Sequence, residues 1–332
     1  MVMAMASSSQ KVLLLDLASN INHVPTNYIR PISDRPNLDQ VDSIDDSIPL
    51  IDLHSLTRSN DVVQQIGQAC KEYGFFQVKN HGIPDEVITN MMQISREFFR
   101  MPQSERMKSY SDDPSKTTRL STSFNVNTEK IKWFNIYFRC RDNAADYCRH
   151  VRQVALTLLE LISESLGLER DYINRALGKH GQHMALNYYP PCPQPELTYG
   201  LPSHADPNVI TILLQDDVPG LQVLNNDKWL AVNPIPRTFI VNIGDQIQVL
   251  SNDRYKSVLH RAVVNCYTER ISIPTFYCPS PEAVIAPASE LIDEDHPCQY
   301  RSFTYSEYYQ KFWNRGLATE TCLDLFRSSP RV

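Results

Sequence analysis

The sequence predicts an α+β fold in which helices flank an antiparallel β sandwich or barrel. Three observations predict it. Apolar residues recur at helical spacing across much of residues 61–166. From about residue 182 the pattern changes to the short apolar runs MALNYYP, VITILLQ, GLQVL, WLAVN, TFIVNIG and ISIPTFY, punctuated by Pro, Gly and Asn. Helical spacing then returns between Tyr305 and Leu325. With 332 residues and 42% hydrophobic content, the chain can bury a substantial core.

Each element has its own signal. Residues 1–47 are polar and interrupted by Pro25, Pro31 and Pro36, which predicts an extended arm with one short helix. Ile48 to Leu53 reads as a short strand. Asp61 to Tyr73 places Val62, Ile66, Ala69 and Cys70 on one helical face, and Gly74 ends it as a C-terminal glycine does. Phe75 to Val78 reads as a strand. A helix over 85–100 turns Val87, Met91, Ile94 and Phe98 inward, and the longest helix runs over about 143–166 through Val154, Leu158 and Leu161. In the C-terminal segment Tyr309, Phe312, Trp313 and Leu317 form the apolar side. The divisions expected are 1–47, 48–180, 181–285 and 286–332.

Bulk properties exclude several function classes. A net charge of -6 and no Lys/Arg run give no footprint for nucleic acid. The eight cysteines form no CxxC pair, which suits reduced thiols in a cytosolic protein. The Met/Ala/Ser-rich N-terminus has no cationic start, and its longest apolar run is Val12 to Leu15, so no secretory signal is expected. No apolar stretch reaches the roughly 20 residues that a membrane span requires.

One constellation carries chemistry. His204 and Asp206 are two residues apart, so on a strand they share a face, and His260 can join them from another strand. Two imidazoles and a carboxylate occupy one face of an octahedral ferrous ion and leave three positions open. A structural zinc site fills its shell with four ligands instead. His-x-Asp also arises by chance, and a lone histidine is commonly a hydrogen-bonded core residue, so the spacing alone leaves both readings open.

In Arg-Ile-Ser-Ile-Pro-Thr-Phe the same alternation places Arg270, Ser272, Pro274 and Phe276 on one face. A guanidinium beside a hydroxyl suits a carboxylate ligand, and an ion pair with a surface acid is the plainer alternative. Within so apolar a strand, the charge requires some partner. Asn187 and Tyr189, also two apart, can add polar contacts to the same cavity.

These residues resemble a known family, the plant 2-oxoglutarate and Fe(II)-dependent dioxygenases. IPLIDL, QACKEYGFFQVKNHGI, NYYPPCPQPELTYGLPSHADPNVITILLQD, PGLQV, NIGDQIQVLSNDRYKSVLHR and RISIPTFY match it in order. The arm NYIRPISDRP and the segment TTRLSTSFNV are similar to the downy mildew resistance-type oxygenases. The resemblance implies a distorted double-stranded β-helix, or jelly roll, with flanking helices. Within it His204, Asp206 and His260 hold Fe(II), while Arg270, Ser272, Asn187 and Tyr189 hold 2-oxoglutarate. It further implies O2 as oxidant, ascorbate as reductant, and a monomer in the cytoplasm, with the nucleus as a second compartment. The implied substrate is a small phenolic acid, salicylate, hydroxylated to 2,3-dihydroxybenzoate, the branch that SIPTFY and VLHRAVVN resemble, with 2,5-dihydroxybenzoate as the other branch's product. Flavanone oxidation is the alternative.

For the substrate wall, Phe276 is the first candidate, followed by Phe124 and Arg119, whose guanidinium can meet an aromatic acid. His81, in Lys-Asn-His-Gly, is read as a fixed turn histidine. The chain departs from the family between Trp133 and Tyr147, where WFNIYFRCRDNAADY replaces a strand resembling WRDFLRLHCYP and the Trp/Pro-rich stretch after it. That strand borders the family's substrate cavity. A block deleted over about 134–146 therefore bears on substrate choice, and a non-catalytic paralogue is a third reading.

Overall fold

The structure, a computed structural model, describes residues 21–36, 41–42, 48–55, 60–111, 113, 120–121, 135–136, 141–315 and 321–328. Two 3-10 turns, Thr26–Tyr28 and Ile32–Asp34, punctuate the arm. The helix Asn60–Glu72 buries Val62, Ile66, Ala69 and Cys70, the face that its periodicity predicts. Gly74 closes it with φ +64 and donates its N–H to the Ala69 carbonyl at 3.0 Å. A Cβ here would lie 2.4 Å from the Lys256 carbonyl, so glycine is required by space as well as by conformation.

The helix Arg141–Ser165 packs against both Asn60–Glu72 and Asp85–Arg100. Its buried Tyr147, Val151, Val154, Leu158 and Ile162 join one core with the strands below. Each such apolar side chain contributes about 1.5–3 kcal/mol by leaving water. Two faces differ from expectation. In Asp85–Arg100 the buried residues are Met91, Met92, Ser95, Phe98 and Phe99, while Val87 and Ile94 are only partly covered. The C-terminal helix, Tyr305–Arg315, buries Tyr305, Tyr308 and Phe312 and leaves Tyr309 exposed, because the Tyr308 hydroxyl finds a buried partner in Asp245. Leu317 lies outside the described residues. No helix among the described residues is long and apolar enough to cross a membrane.

Two sheets form the distorted jelly roll. The larger runs Leu50–Asp52, Phe75–Lys79, Phe239–Ile243, Ile210–Gln215, Arg270–Cys278 and Gly181–Met184, with Asn187–Tyr189 paired to the first half of Arg270–Cys278. The smaller runs Val41–Asp42, Lys228–Ala231, Leu221–Asn225, His260–Ala262 and Leu201–His204. Each of the six apolar runs supplies strand residues to these sheets. Pairing is antiparallel except at two N-terminal additions, where Val41–Asp42 joins Trp229–Leu230 and Leu50–Asp52 joins Gln77–Lys79 in parallel. Between the two sheets lies a cavity lined from both.

Candidate active site

Register brings the first two histidines together. His260 and His204 are directly opposed Cα partners on adjacent antiparallel strands, so their rings share a face, with centroids 4.3 Å apart. Asp206 lies not on the strand, which ends at His204, but two residues beyond it in the connection. That turn is what aims its carboxylate back at the rings. Asp206 Oδ1 stands 3.7 Å from His204 Nε2 and 3.8 Å from His260 Nε2, too far for hydrogen bonds. The three donor atoms lie within 4.8 Å of one another, the only such group among the described residues.

Neighbouring groups fix which atoms face inward. His204 Nδ1 meets its own strand's Pro202 carbonyl at 2.8 Å, and His260 Nδ1 meets the Val258 carbonyl at 3.3 Å. Each contact places the ring proton on Nδ1 and leaves an Nε2 lone pair for a cation. Asp206 Oδ2 is taken by the Thr211 hydroxyl at 2.5 Å and the Asn242 amide at 2.7 Å, leaving Oδ1 free. Phe75 meets the His260 ring edge-on at 5.2 Å. Burial, reinforced by His260 alongside, pulls His204 below its ordinary pKa. Burial alone would raise Asp206, but both imidazoles and its two hydrogen bonds outweigh it and hold the carboxyl below its ordinary value. A neutral His204 imidazole beside an ionised Asp206 carboxylate is a pairing that suits a divalent cation.

The opposite wall is built on Arg270–Cys278. Tyr189 opposes Arg270 and Asn187 opposes Ser272 across the ladder, so all four side chains share one face and line the cavity. The Arg270 guanidinium is buried, donates to Gln215 Oε1 at 2.8 Å and the Val218 carbonyl at 3.2 Å, and lies 5.2 Å over the Tyr189 ring. No carboxylate of the described residues lies within 4.0 Å of it. The buried Asn187 Oδ1 and Gln215 Nε2 have no hydrogen-bond partner. A buried cation with no carboxylate in contact, beside unpaired polar atoms, suits a carboxylate ligand.

Two glycines shape this wall. A Cβ on Gly220 would come 2.8 Å from Arg270 Cδ, and one on Gly200 would come 2.6 Å from the Tyr189 ring. Pro274 and Phe276 continue the face into the same cavity. Phe124 and Arg119 lie outside the described residues. His81 is held by the Ile83 N–H at Nδ1 and lies 3.2 Å from the Arg237 carbonyl at Nε2, a turn histidine outside the triad. Sequence reading missed Thr211, Asn242, Gln215 and Gly220. Its available signal was a polar residue inside each apolar run VITILLQ and TFIVNIG.

The 2OG-Fe(II) oxygenase superfamily model matches residues 180–279, and that of the non-haem dioxygenase in morphine synthesis N-terminal region matches 48–154. Protein DMR6-LIKE OXYGENASE 2 of Arabidopsis thaliana is 56% identical over 345 residues, covering 97% of this chain and 99% of the relative. The chain belongs to the 2OG-Fe(II) oxygenase superfamily. Flavanone 3-dioxygenase 2 of Oryza sativa subsp. japonica is 50% identical to this oxygenase over 343 residues, covering 97% of the chain and 99% of the relative. The crystal structure of JOX2 in complex with 2OG, Fe, and JA matches the oxygenase with a TM-score of 0.85 at 34% identity, covering 96% of this chain and 98% of that one. The oxygenase is thus a 2-oxoglutarate-dependent dioxygenase that takes Fe(II) and acts on a small molecule. Its donor set fits the metal, since two imidazole nitrogens and one carboxylate oxygen converge with their other polar atoms already engaged.

Proposed function

We propose that this dioxygenase hydroxylates the ring of a small phenolic acid, salicylate, giving 2,3- or 2,5-dihydroxybenzoate. His204, Asp206 and His260 hold the iron. Arg270 and Ser272 hold the distal carboxylate of 2-oxoglutarate, with Asn187 and Tyr189 beside it. The observation that carries this reading is one cavity holding the triad, the buried Arg270 and the Phe276 ring together. The NYIRPISDRP arm and TTRLSTSFNV segment, with the DMR6-like relative, support the phenolic-acid class.

When bound, iron with 2-oxoglutarate and O2 supplies the oxidant: one oxygen atom enters the aromatic C–H bond, the other enters succinate, and CO2 leaves. The protein's residues orient and shield. Gln215 and the Val218 carbonyl fix the Arg270 fork in its plane, ready for bidentate contact. Thr211 and Asn242 hold the Asp206 carboxylate still. Leu201, Leu213 and Leu221 keep the surrounding wall apolar, and Phe276 offers a flat face to an aromatic ring.

Flavanone oxidation is the second reading, favoured by the 50% identical flavanone 3-dioxygenase relative. A silent paralogue is the third. The 345 positions aligned with the DMR6-like relative exceed the chain's 332 residues, so at least 13 of them have no counterpart here. We place these missing positions between Trp133 and Tyr147. The test is incubation with Fe(II), 2-oxoglutarate, ascorbate and either salicylate or naringenin, reading succinate and product. Salicylate consumed with matching succinate is the expected result. Naringenin consumed while salicylate persists overturns it, and background succinate with both substrates favours the silent paralogue.

A further inference from the structure

Beyond Phe276 the cavity face continues onto the edge strand Gly181–Met184. In the ladder, Thr211 opposes Phe276 from one side and His183 opposes it from the other. Directly opposed residues in antiparallel strands project on the same face, so Thr211, Phe276 and His183 form one row across three strands. Thr211 is the end that holds Asp206. His183 is the other end, about 10 Å away at ~4.8 Å per strand.

The neighbours of His183 give the same direction independently. Gln182 donates to the Cys148 carbonyl at 3.2 Å and Met184 Sδ lies 4.0 Å from Cys148 Sγ, so the strand also contacts the long helix on its outer side. Met184 faces that helix, and strand alternation turns His183 the opposite way. The residue is exposed, and it has no hydrogen bond, ion pair or ring contact with any described residue. Other histidines nearby are occupied: His180 Nδ1 meets the Tyr277 hydroxyl at 2.7 Å, and His204 and His260 use Nδ1 on backbone carbonyls.

We propose that His183 is a specificity-determining residue, donating an N–H to the carboxylate of an aromatic acid whose ring lies on Phe276. The proposal rests on the phenolic-acid reading and adds the group that recognises the acid. The row supplies the required order: metal end, aromatic face, hydrogen-bond donor. A single ring bearing a carboxylate spans about the one strand spacing from Phe276 to His183. An imidazole N–H to a carboxylate is a charge-assisted bond that a neutral amide cannot match.

The test is equilibrium dialysis of salicylate and of its neutral analogue salicylamide against the whole chain with Fe(II) and 2-oxoglutarate, without oxygen. Wild type should prefer salicylate at least tenfold. His183→Ala should lose that preference, and His183→Gln, which keeps an N–H donor, should recover part of it. In both variants the KM for 2-oxoglutarate, measured by succinate formed without substrate, should stay within twofold of wild type, which verifies the fold. An unchanged preference in both variants, or no preference in wild type, overturns the assignment. The preference without any hydroxylated product leaves His183 in place and rejects the salicylate hydroxylase reading. Product without the preference does the reverse.

Discussion

Asp206 divides its two oxygens between duties: Oδ1 faces the imidazoles, and Oδ2 is held by Thr211 and Asn242 from two strands of the other sheet. Thr211→Val keeps the shape of the side chain and removes the donor, so the carboxylate gains freedom to turn. Iron affinity should fall about 10–100-fold, read by metal titration, as when an outer partner of a ligand is lost. Unchanged affinity would mean that Asn242 alone suffices. At the other wall, Arg270→Lys keeps the charge but loses the planar fork. The 2-oxoglutarate KM should rise roughly tenfold, the kinetic equivalent of about 1.4 kcal/mol, with little change in substrate KM. Arg270, Ser272, Asn187 and Tyr189 were legible because strand alternation puts their chemistry at two-residue spacing, whereas the two-residue spacing of His204 and Asp206 was informative for a different reason, the turn that follows His204. Thr211 and Asn242 were not, because one polar residue in an apolar strand looks the same whether or not it holds a ligand.

Among the elements, the strand Arg270–Cys278 organises the cavity by pairing with three others, and its alternation was legible before its partners were. What no periodicity reveals is how near another segment passes. Gly220 is an example, since a Cβ there would meet both Arg270 Cδ and Nε within 3.0 Å. Gly220→Ala should therefore push the guanidinium off its Gln215 and Val218 anchors and raise the 2-oxoglutarate KM severalfold. Kinetics indistinguishable from wild type would show that the loop yields instead. The C-terminal helix shows the opposite limit. Its aromatic residues fit more than one face, and the buried Asp245 partner of Tyr308, 63 residues away in sequence, selects the face that turns inward.

On the scale of the molecule, the C-terminal segment is fastened to the catalytic half through Asp253, which accepts from Tyr300 and, at 2.6 Å, from Arg327. Burial raises the Asp253 carboxyl, but Tyr300, Arg327 and Lys256 outweigh it and leave it below the ordinary carboxylate value. A depressed folded-state pKa adds stability above the unfolded value, near 3.9, which is lost as pH falls through the folded one. Asp253→Asn should accordingly melt below wild type at pH 7, with the gap closing below about pH 4. Melting curves across pH decide this, and a gap independent of pH would assign the loss to packing. Asn suits the site, where φ is +68. The two-sheet plan was readable from the rhythm of apolar runs. Of the two parallel N-terminal additions, the strand within Ile48 to Leu53 was readable and Val41–Asp42 was not, and the parallel pairing of neither could be read from segments two or three residues long.

The placement of the triad and of Arg270 has a thermodynamic consequence. His204 and His260 belong to the smaller sheet, whereas the anchors of Asp206 and the arginine belong to the larger. An ion and a dicarboxylate bound between them become a clasp, closed only when both are present. Ligand binding and sheet cohesion are then linked by mass action, with saturation at a hundred times Kd worth about 2.7 kcal/mol. Adding 2-oxoglutarate should raise the melting temperature strongly with metal present and little after chelation. Equal shifts in both conditions would mean that the arginine wall holds the acid alone and that the sheets are joined without the clasp.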